Sequence, residues 1–158
     1  MTRLLIVLAV VSCIAIVESK IFKSCKGNIT APTDVRIAGC DSSPCILTRG
    51  TSLKLEMDFV ATTATDKLKP KMYVNVGRSK KKYYLNIGTE NVCDSLQKGK
   101  CPLKIGDTVT VALEKAIPPT TYLVKKATVT FELSDSNNEQ LVCLQVKAKV
   151  VRNPNELK

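Results

Sequence analysis

The residues Leu53-Lys54-Leu55-Glu56-Met57-Asp58-Phe59 alternate apolar and charged without a break, and a period of two is the signature of a half-buried strand. Successive side chains of a strand point to opposite faces, so the apolar set shares one face and the charged set the other. On a helix the same pattern would scatter its charges around the whole circumference. The pattern recurs along the chain. Met72, Val74 and Val76 alternate with Tyr73 and Asn75, and Tyr83, Leu85 and Ile87 with Tyr84 and Asn86. Val109, Val111 and Leu113 alternate with Thr110 and Ala112, and Val129, Phe131 and Leu133 with Thr130 and Glu132. Val142, Leu144, Val146, Ala148 and Val150 share a last face, opposite Cys143, Gln145, Lys147 and Lys149. Turn signals punctuate these runs, among them Gly50, Gly77, Gly88, Gly106, the Pro118-Pro119 pair and Ser134–Asn138. No segment shows sustained helical periodicity. Strands with one apolar face each predict an all-β domain of two antiparallel sheets packed face to face. The polar tail after Val151 is expected to fray.

The chain opens on a different pattern. Behind Arg3, residues 4–17 read LLIVLAVVSCIAIV, and Val17-Glu18-Ser19 follows with a small residue at its end. A short basic start, an apolar stretch too short to span a bilayer and a small residue at the cleavage point describe a secretory signal peptide. The expected organisation is a leader over 1–19 and one domain over 20–158. Cys13 falls in the leader, and the domain retains six cysteines: Cys25, Cys40, Cys45, Cys93, Cys101 and Cys143. An even count in a small secreted chain reads as a disulfide framework. Asn28-Ile29-Thr30 is an N-glycosylation sequon, which fits the same compartment. The expected localisation is therefore secreted.

Six cysteines allow fifteen pairings. Cys40 and Cys45 enclose four residues and Cys93 and Cys101 seven, spacings that suit two local loops. Cys25 and Cys143 then remain to tie the first segment to the last. The contexts Cys40-Asp-Ser-Ser-Pro-Cys45, Arg49-Gly50, Cys101-Pro102-Leu103 and Leu141-Val142-Cys143, in this order and spacing, resemble the ML (lipid-recognition) domain family, most of all its Niemann–Pick type C branch of secreted sterol-transfer proteins. The resemblance covers essentially all of residues 22–158. It implies the same cysteine pairing. It also implies an immunoglobulin-like β-sandwich whose sheets are splayed to admit a lipid.

Most apolar positions on the strand faces are explained as core, which any sandwich needs. A ligand would be lined by a subset of them: Leu55, Met57, Phe59, Met72, Val74, Val76, Tyr83, Leu85, Ile87, Val111, Leu113, Ile117, Tyr122, Val129, Phe131 and Val146. Met57 and Met72 are adaptable, and Phe59, Phe131 and Tyr122 offer flat apolar walls with one polar handle. The resemblance implies pocket positions at Leu85, eight residues before Cys93, and at Tyr122, nine before Phe131. Leu85 replaces an aromatic of the mammalian sterol carrier, so a fatty acid is as open as a sterol. The implied function is a carrier moving such a ligand between membranes or proteins. The alternative is an innate-immune protein that binds microbial glycolipid and acts with a receptor.

Formal charge is +10. The densest basic run, Arg78, Lys80, Lys81 and Lys82, falls between two predicted strands. It reads either as a solvated hairpin or as a dock for an anionic membrane surface, where each basic residue contributes about 1 kcal/mol. No stacking aromatics interleave these lysines in the manner of single-strand nucleic-acid sites, and no nucleic-acid partner is expected. The chain has no histidine, which excludes Ser-His-Asp and Cys-His catalysis and His-ligated metals. Glu56 and Asp58 lie on a solvent face, and the cysteines are committed to one another. The sequence therefore predicts no enzyme, no metal, no cofactor and a monomer.

Overall fold

The structure, a computed structural model, describes residues 20–27 and 29–157; the expected leader and Asn28 of the sequon lie outside the described residues. Ten strands follow one another: β1 (Phe22–Ser24), β2 (Asp34–Ile37), β3 (Cys45–Thr48), β4 (Ser52–Val60), β5 (Lys69–Val76), β6 (Tyr83–Leu85), β7 (Leu96–Lys98), β8 (Thr108–Ala116), β9 (Val124–Ser134) and β10 (Gln140–Val151). They form two sheets. One runs β1-β10-β9-β5-β6, with β3 also paired to β10, and the other runs β2-β4-β8-β7. All pairings within the strands are antiparallel except β3 on β10, which is parallel. β1 and β3 take successive stretches of the same edge of β10, at Leu144–Val146 and Ala148–Val151.

The period-two runs are the long strands. In β4 the apolar side chains of Leu55, Met57 and Phe59 are buried while Lys54 and Glu56 stay in water. Register then stacks like upon like. Leu144, Phe131, Met72 and Leu85 form one row across the larger sheet, and Phe22, Val146, Val129, Val74 and Tyr83 the next. In the smaller sheet Ile37, Leu55 and Leu113 form a row, and Val35, Met57 and Val111 its neighbour. These inner faces make one apolar core between the sheets. Full burial of each Phe or Leu contributes about 1.5–3 kcal/mol.

Among the described residues three disulfides hold the frame: Cys25–Cys143, Cys40–Cys45 and Cys93–Cys101, with Cα separations of 5.5, 5.0 and 5.7 Å. The first joins β10 to the segment just after β1. The second joins the turn that follows β2 to the start of β3, closing the connection between the two sheets. The tail departs from expectation. Pro154–Leu157 form a 3-10 turn, and Glu156 accepts a 2.7 Å ion pair from Arg49 in the β3–β4 turn. That pair is mostly shielded from water, so the tail is tied down.

Candidate functional site

The inner faces do not close completely. An apolar seam lies between the sheets, walled by Cys45, Leu47, Met72, Val129, Phe131, Leu144, Val146 and Ala148 from the larger sheet and by Ile37, Leu53 and Leu55 from the smaller. Every lining side chain is apolar. The volume is about 20 Å³, room for about one water-sized sphere. Small residues make the gap. Ala148 of β10 stands between Cys45 of β3 and Ala127 of β9, where a larger side chain would bridge the sheets. No strand of one sheet is paired to a strand of the other. Parting the sheets here thus breaks apolar contacts and not ladder hydrogen bonds.

Of the sequence candidates, Leu55, Met72, Val129, Phe131 and Val146 meet in this seam. Met57, Phe59, Val111 and Leu113 are buried in the adjoining core without lining the gap. Val74, Leu85 and Ile87 pack on the core from the β5–β6 side. Ile117 is half-buried just past β8. Val76 and Tyr83 are largely exposed, and Tyr122 is 87 % exposed, so the structure brings none of these three to the seam. Reasoning from strands missed Ile37, Cys45, Leu47, Leu53, Leu144 and Ala148. Leu53, Leu144 and Ala148 already stood on recognised apolar faces; the short strands β2 and β3 carry the rest.

Register also shows where the seam points. From the Leu144–Phe131–Met72 row it runs past Val146 and Val129 to Ala148, Leu47 and Leu53, toward the end where β3, β5, β8 and β10 finish. Three connections gather there. The β3–β4 turn is bonded to the β8–β9 loop by Gly50 N–H donating to Ile117 O (2.7 Å) and Ile117 N–H to Thr51 O (2.8 Å). The β5–β6 hairpin is bonded to β9 by Gly77 N–H donating to Lys126 O (2.8 Å). Gly77 has φ 61°, a backbone conformation that costs glycine little. This end exposes Val76, Tyr83, Tyr122 and Leu123, and the hairpin adds Arg78, Lys80, Lys81 and Lys82, all at the surface. The Lys82 ammonium lies 4.2 Å from the Tyr73 ring centroid. The Tyr73 hydroxyl, foremost, holds that ammonium's pKa above its ordinary value.

The outer face of the smaller sheet carries an ion-pair network centred on Arg36. Arg36 pairs with Asp34, with Glu56 at 3.1 Å and with Asp58 at 2.8 Å. Its guanidinium pKa is raised by these acceptors, Asp58 foremost. The Asp58 carboxyl is held below its ordinary value by Arg36 and then by the Thr110 hydroxyl. Among the described residues no group of three His, Cys, Asp or Glu side chains is placed to hold a metal.

A β-sandwich with an apolar seam and these three bridges can be compared with known proteins. A family model described as the ML domain matches residues 19–150. The chain belongs to the ML-domain family. It is similar to the NPC intracellular cholesterol transporter 2 homolog a of Drosophila melanogaster, 27 % identical over 151 residues, which cover 90 % of this chain and 97 % of that one. Among solved structures it resembles a Niemann–Pick type C2 protein from Japanese carpenter ant, with TM-score 0.73, 18 % identity, and coverage of 84 % of this chain and all of the other (100 %). It also resembles chicken MD-1, solved in complex with lipid IVa, with TM-score 0.50, 14 % identity, and coverage of 80 % and 85 %. These two likenesses show the fold: an ML-domain β-sandwich.

Proposed function

We propose that this ML-domain chain is a secreted, non-enzymatic carrier that holds one apolar ligand, a sterol or a fatty acid, between its two sheets and passes it between membranes or proteins. The observation that carries the reading is the all-apolar seam walled by both sheets. The family, and a relative whose name makes it a cholesterol transporter, support it. The seam is narrower than any such ligand, so loading parts the sheets. Enclosing a sterol-sized molecule removes about 300–400 Å² of its apolar surface from water, about 8–10 kcal/mol before ordering costs. That sum also has to cover the apolar contacts broken on opening. Shape rather than hydrogen bonding sets specificity, since the lining has no polar side chain.

The same end of the molecule supplies a route to a membrane. Exposed Tyr122, Leu123, Val76 and Tyr83 would sit at the headgroup level while Arg78, Lys80, Lys81 and Lys82 meet anionic lipid. Docked this way, the seam points at the bilayer. Residues 1–19 are read as the cleaved leader, Asn28 as a glycan site, and the carrier as a monomer destined for the secreted or lysosomal compartment.

The test is displacement on the delipidated protein secreted from its full coding sequence. A fluorescent sterol and a fluorescent fatty acid are offered separately, each chased with unlabelled ligand. Saturable, displaceable binding of either supports the carrier and names its ligand class. Binding of neither, with tight binding of a lipid A-type glycolipid instead, would replace the carrier with a recognition protein acting beside a receptor.

A further inference from the structure

The two outer faces of the sandwich differ in how their charge is used. On the smaller sheet most cations are paired, Arg36 with Asp34, Glu56 and Asp58, and Lys54 with Glu114 at 3.8 Å, while Lys98 of β7 makes no ion pair among the described residues. On the larger sheet Lys23, Lys71, Lys126, Lys147 and Lys149 point to solvent. Among the described residues none of these five makes an ion pair. The carboxylate on that face, Glu132, accepts a 2.9 Å hydrogen bond from the Tyr73 hydroxyl.

The face also has shape. A hollow of about 370 Å³ is lined by Lys20, Ile21, Phe22, Lys23, Ser43, Thr128, Gln145 and Lys147. It therefore offers three ammonium groups, two hydroxyls and an amide, and no carboxylate. From it the row Lys23–Gln145–Thr130–Tyr73–Tyr84 crosses five strands, about 20 Å at strand spacing, with Lys23 and Tyr84 exposed at its ends and Thr130 and Tyr73 buried between them. The far end of the row is an aromatic step. Tyr84 is 63 % exposed, its ring centroid lies 5.5 Å from that of Tyr73, and Lys82 sits over Tyr73.

We propose that this face, from the Lys20–Lys23–Lys147 hollow to Tyr84, is a docking surface for a sulfated polysaccharide. Unpaired lysines spread over the face meet sulfates repeated along a linear chain, Thr128, Gln145 and Ser43 meet its hydroxyls, and the exposed Tyr84 ring packs on a sugar face. A bilayer fits this face less well. Of its exposed large side chains only Ile46 and Tyr84 are apolar among the described residues, whereas the residues suited to insertion, Tyr122, Leu123 and Val76, cluster at the end of the sandwich. The two surfaces adjoin at Lys82, and a carrier held on a matrix polyanion by its flank keeps Tyr122, Leu123 and Val76 free at its end.

The experiment uses the secreted protein and a fluorescein-labelled heparin oligosaccharide, read by anisotropy at physiological ionic strength. The triple variant Lys20→Gln/Lys23→Gln/Lys147→Gln binds at least tenfold more weakly. Arg78→Gln/Lys80→Gln/Lys81→Gln, an equal loss of charge from the hairpin, stays within twofold of wild type. Fully desulfated heparin fails to compete. The proposal is overturned by wild-type binding of the flank triple, or by equal losses in both triples, since affinity would then follow net charge alone. It is also overturned if the flank triple weakens association with phosphatidylserine vesicles as much as with heparin. Sterol and fatty-acid displacement is read separately on the same variants, so failure of this surface and failure of the carrier reading are distinguishable.

Discussion

Replacing Ala148 by leucine puts the seam to a quantitative test. Ala148 is buried and lines the gap together with Leu53 and Leu55 of the smaller sheet. Leucine adds three carbons to a space of about 20 Å³, which holds about one water-sized sphere. The ligand-free protein is therefore overpacked, at a cost of about 1–3 kcal/mol. At about 3 °C per kcal/mol for a domain of this size, it melts about 3–9 °C lower. A ligand in the seam loses more specifically. The new branch occupies ground that would bury about 60–80 Å² of its apolar surface, about 1.5–2 kcal/mol, which is tenfold or more in Kd. The control is the next residue on the opposite face: Lys149→Leu binds within twofold of wild type. Both variants are measured by displacement of fluorescent sterol and fatty acid, with far-UV circular dichroism and melting to establish the fold. A lowered melting temperature with unchanged affinity in Ala148→Leu would refute the reasoning, because the seam would then be packed core with the ligand elsewhere. Equal weakening by Lys149→Leu would refute it too.

Other perturbations have defined outcomes. Cys25→Ser/Cys143→Ser opens a bridge between residues 118 apart and lowers stability by about 5 kcal/mol in the chain-entropy treatment, against about 2 for the five-residue separation of Cys40 and Cys45; denaturant melts of the two double variants rank them. Asp58→Asn removes a carboxyl whose folded pKa is depressed below its ordinary 3.8 by Arg36 and Thr110. A depressed pKa contributes stability above the unfolded value that is lost as pH falls through the folded one. The variant is therefore less stable than wild type at pH 7, by up to about 1 kcal/mol for so exposed a network, and the difference closes below about pH 4 in paired thermal melts. Lys80→Gln/Lys81→Gln/Lys82→Gln reduces association with phosphatidylserine vesicles at least tenfold, and raising salt weakens the wild type in the same assay; salt-insensitive association would remove the hairpin from the docking surface.

The long strands were legible because each runs for eight residues or more and contains a stretch with a period of two: β4, β5, β8, β9 and β10 all lie on recognised alternations. β1, β3 and β7 have three or four residues, too few to display a period. They are strands because β10 and β8 offer them an edge, a tertiary cause that local sequence does not carry. β2 does alternate, as Asp34-Val35-Arg36-Ile37, but over a single pair of apolar residues. The parallel contact of β3 with β10 was equally hidden. It places Leu47 and Cys45 in the seam, so two of the eight residues of the larger-sheet wall were invisible to strand patterning. The site was legible as a set of apolar faces and not as a lining, since Met57 and Leu55 share a face of β4 yet only Leu55 borders the gap. Which of two like-facing residues reaches a gap depends on what the opposite sheet puts across from it. Tyr122 illustrates the limit of carrying a position over by spacing alone: it stands at the surface of the β8–β9 loop, where loop conformation rather than strand parity decides direction.

The most direct test of a ligand held between the sheets is a methyl-labelled NMR titration of the delipidated protein with the sterol or fatty acid that it binds. The methyl resonances of Ile37, Leu53, Leu55, Val129 and Val146 should shift and saturate together with one ligand per chain, while those of Ile105 and Val60, exposed away from the seam, stay in place. Saturation that moves only surface methyls and leaves the five seam residues unchanged would contradict binding between the sheets.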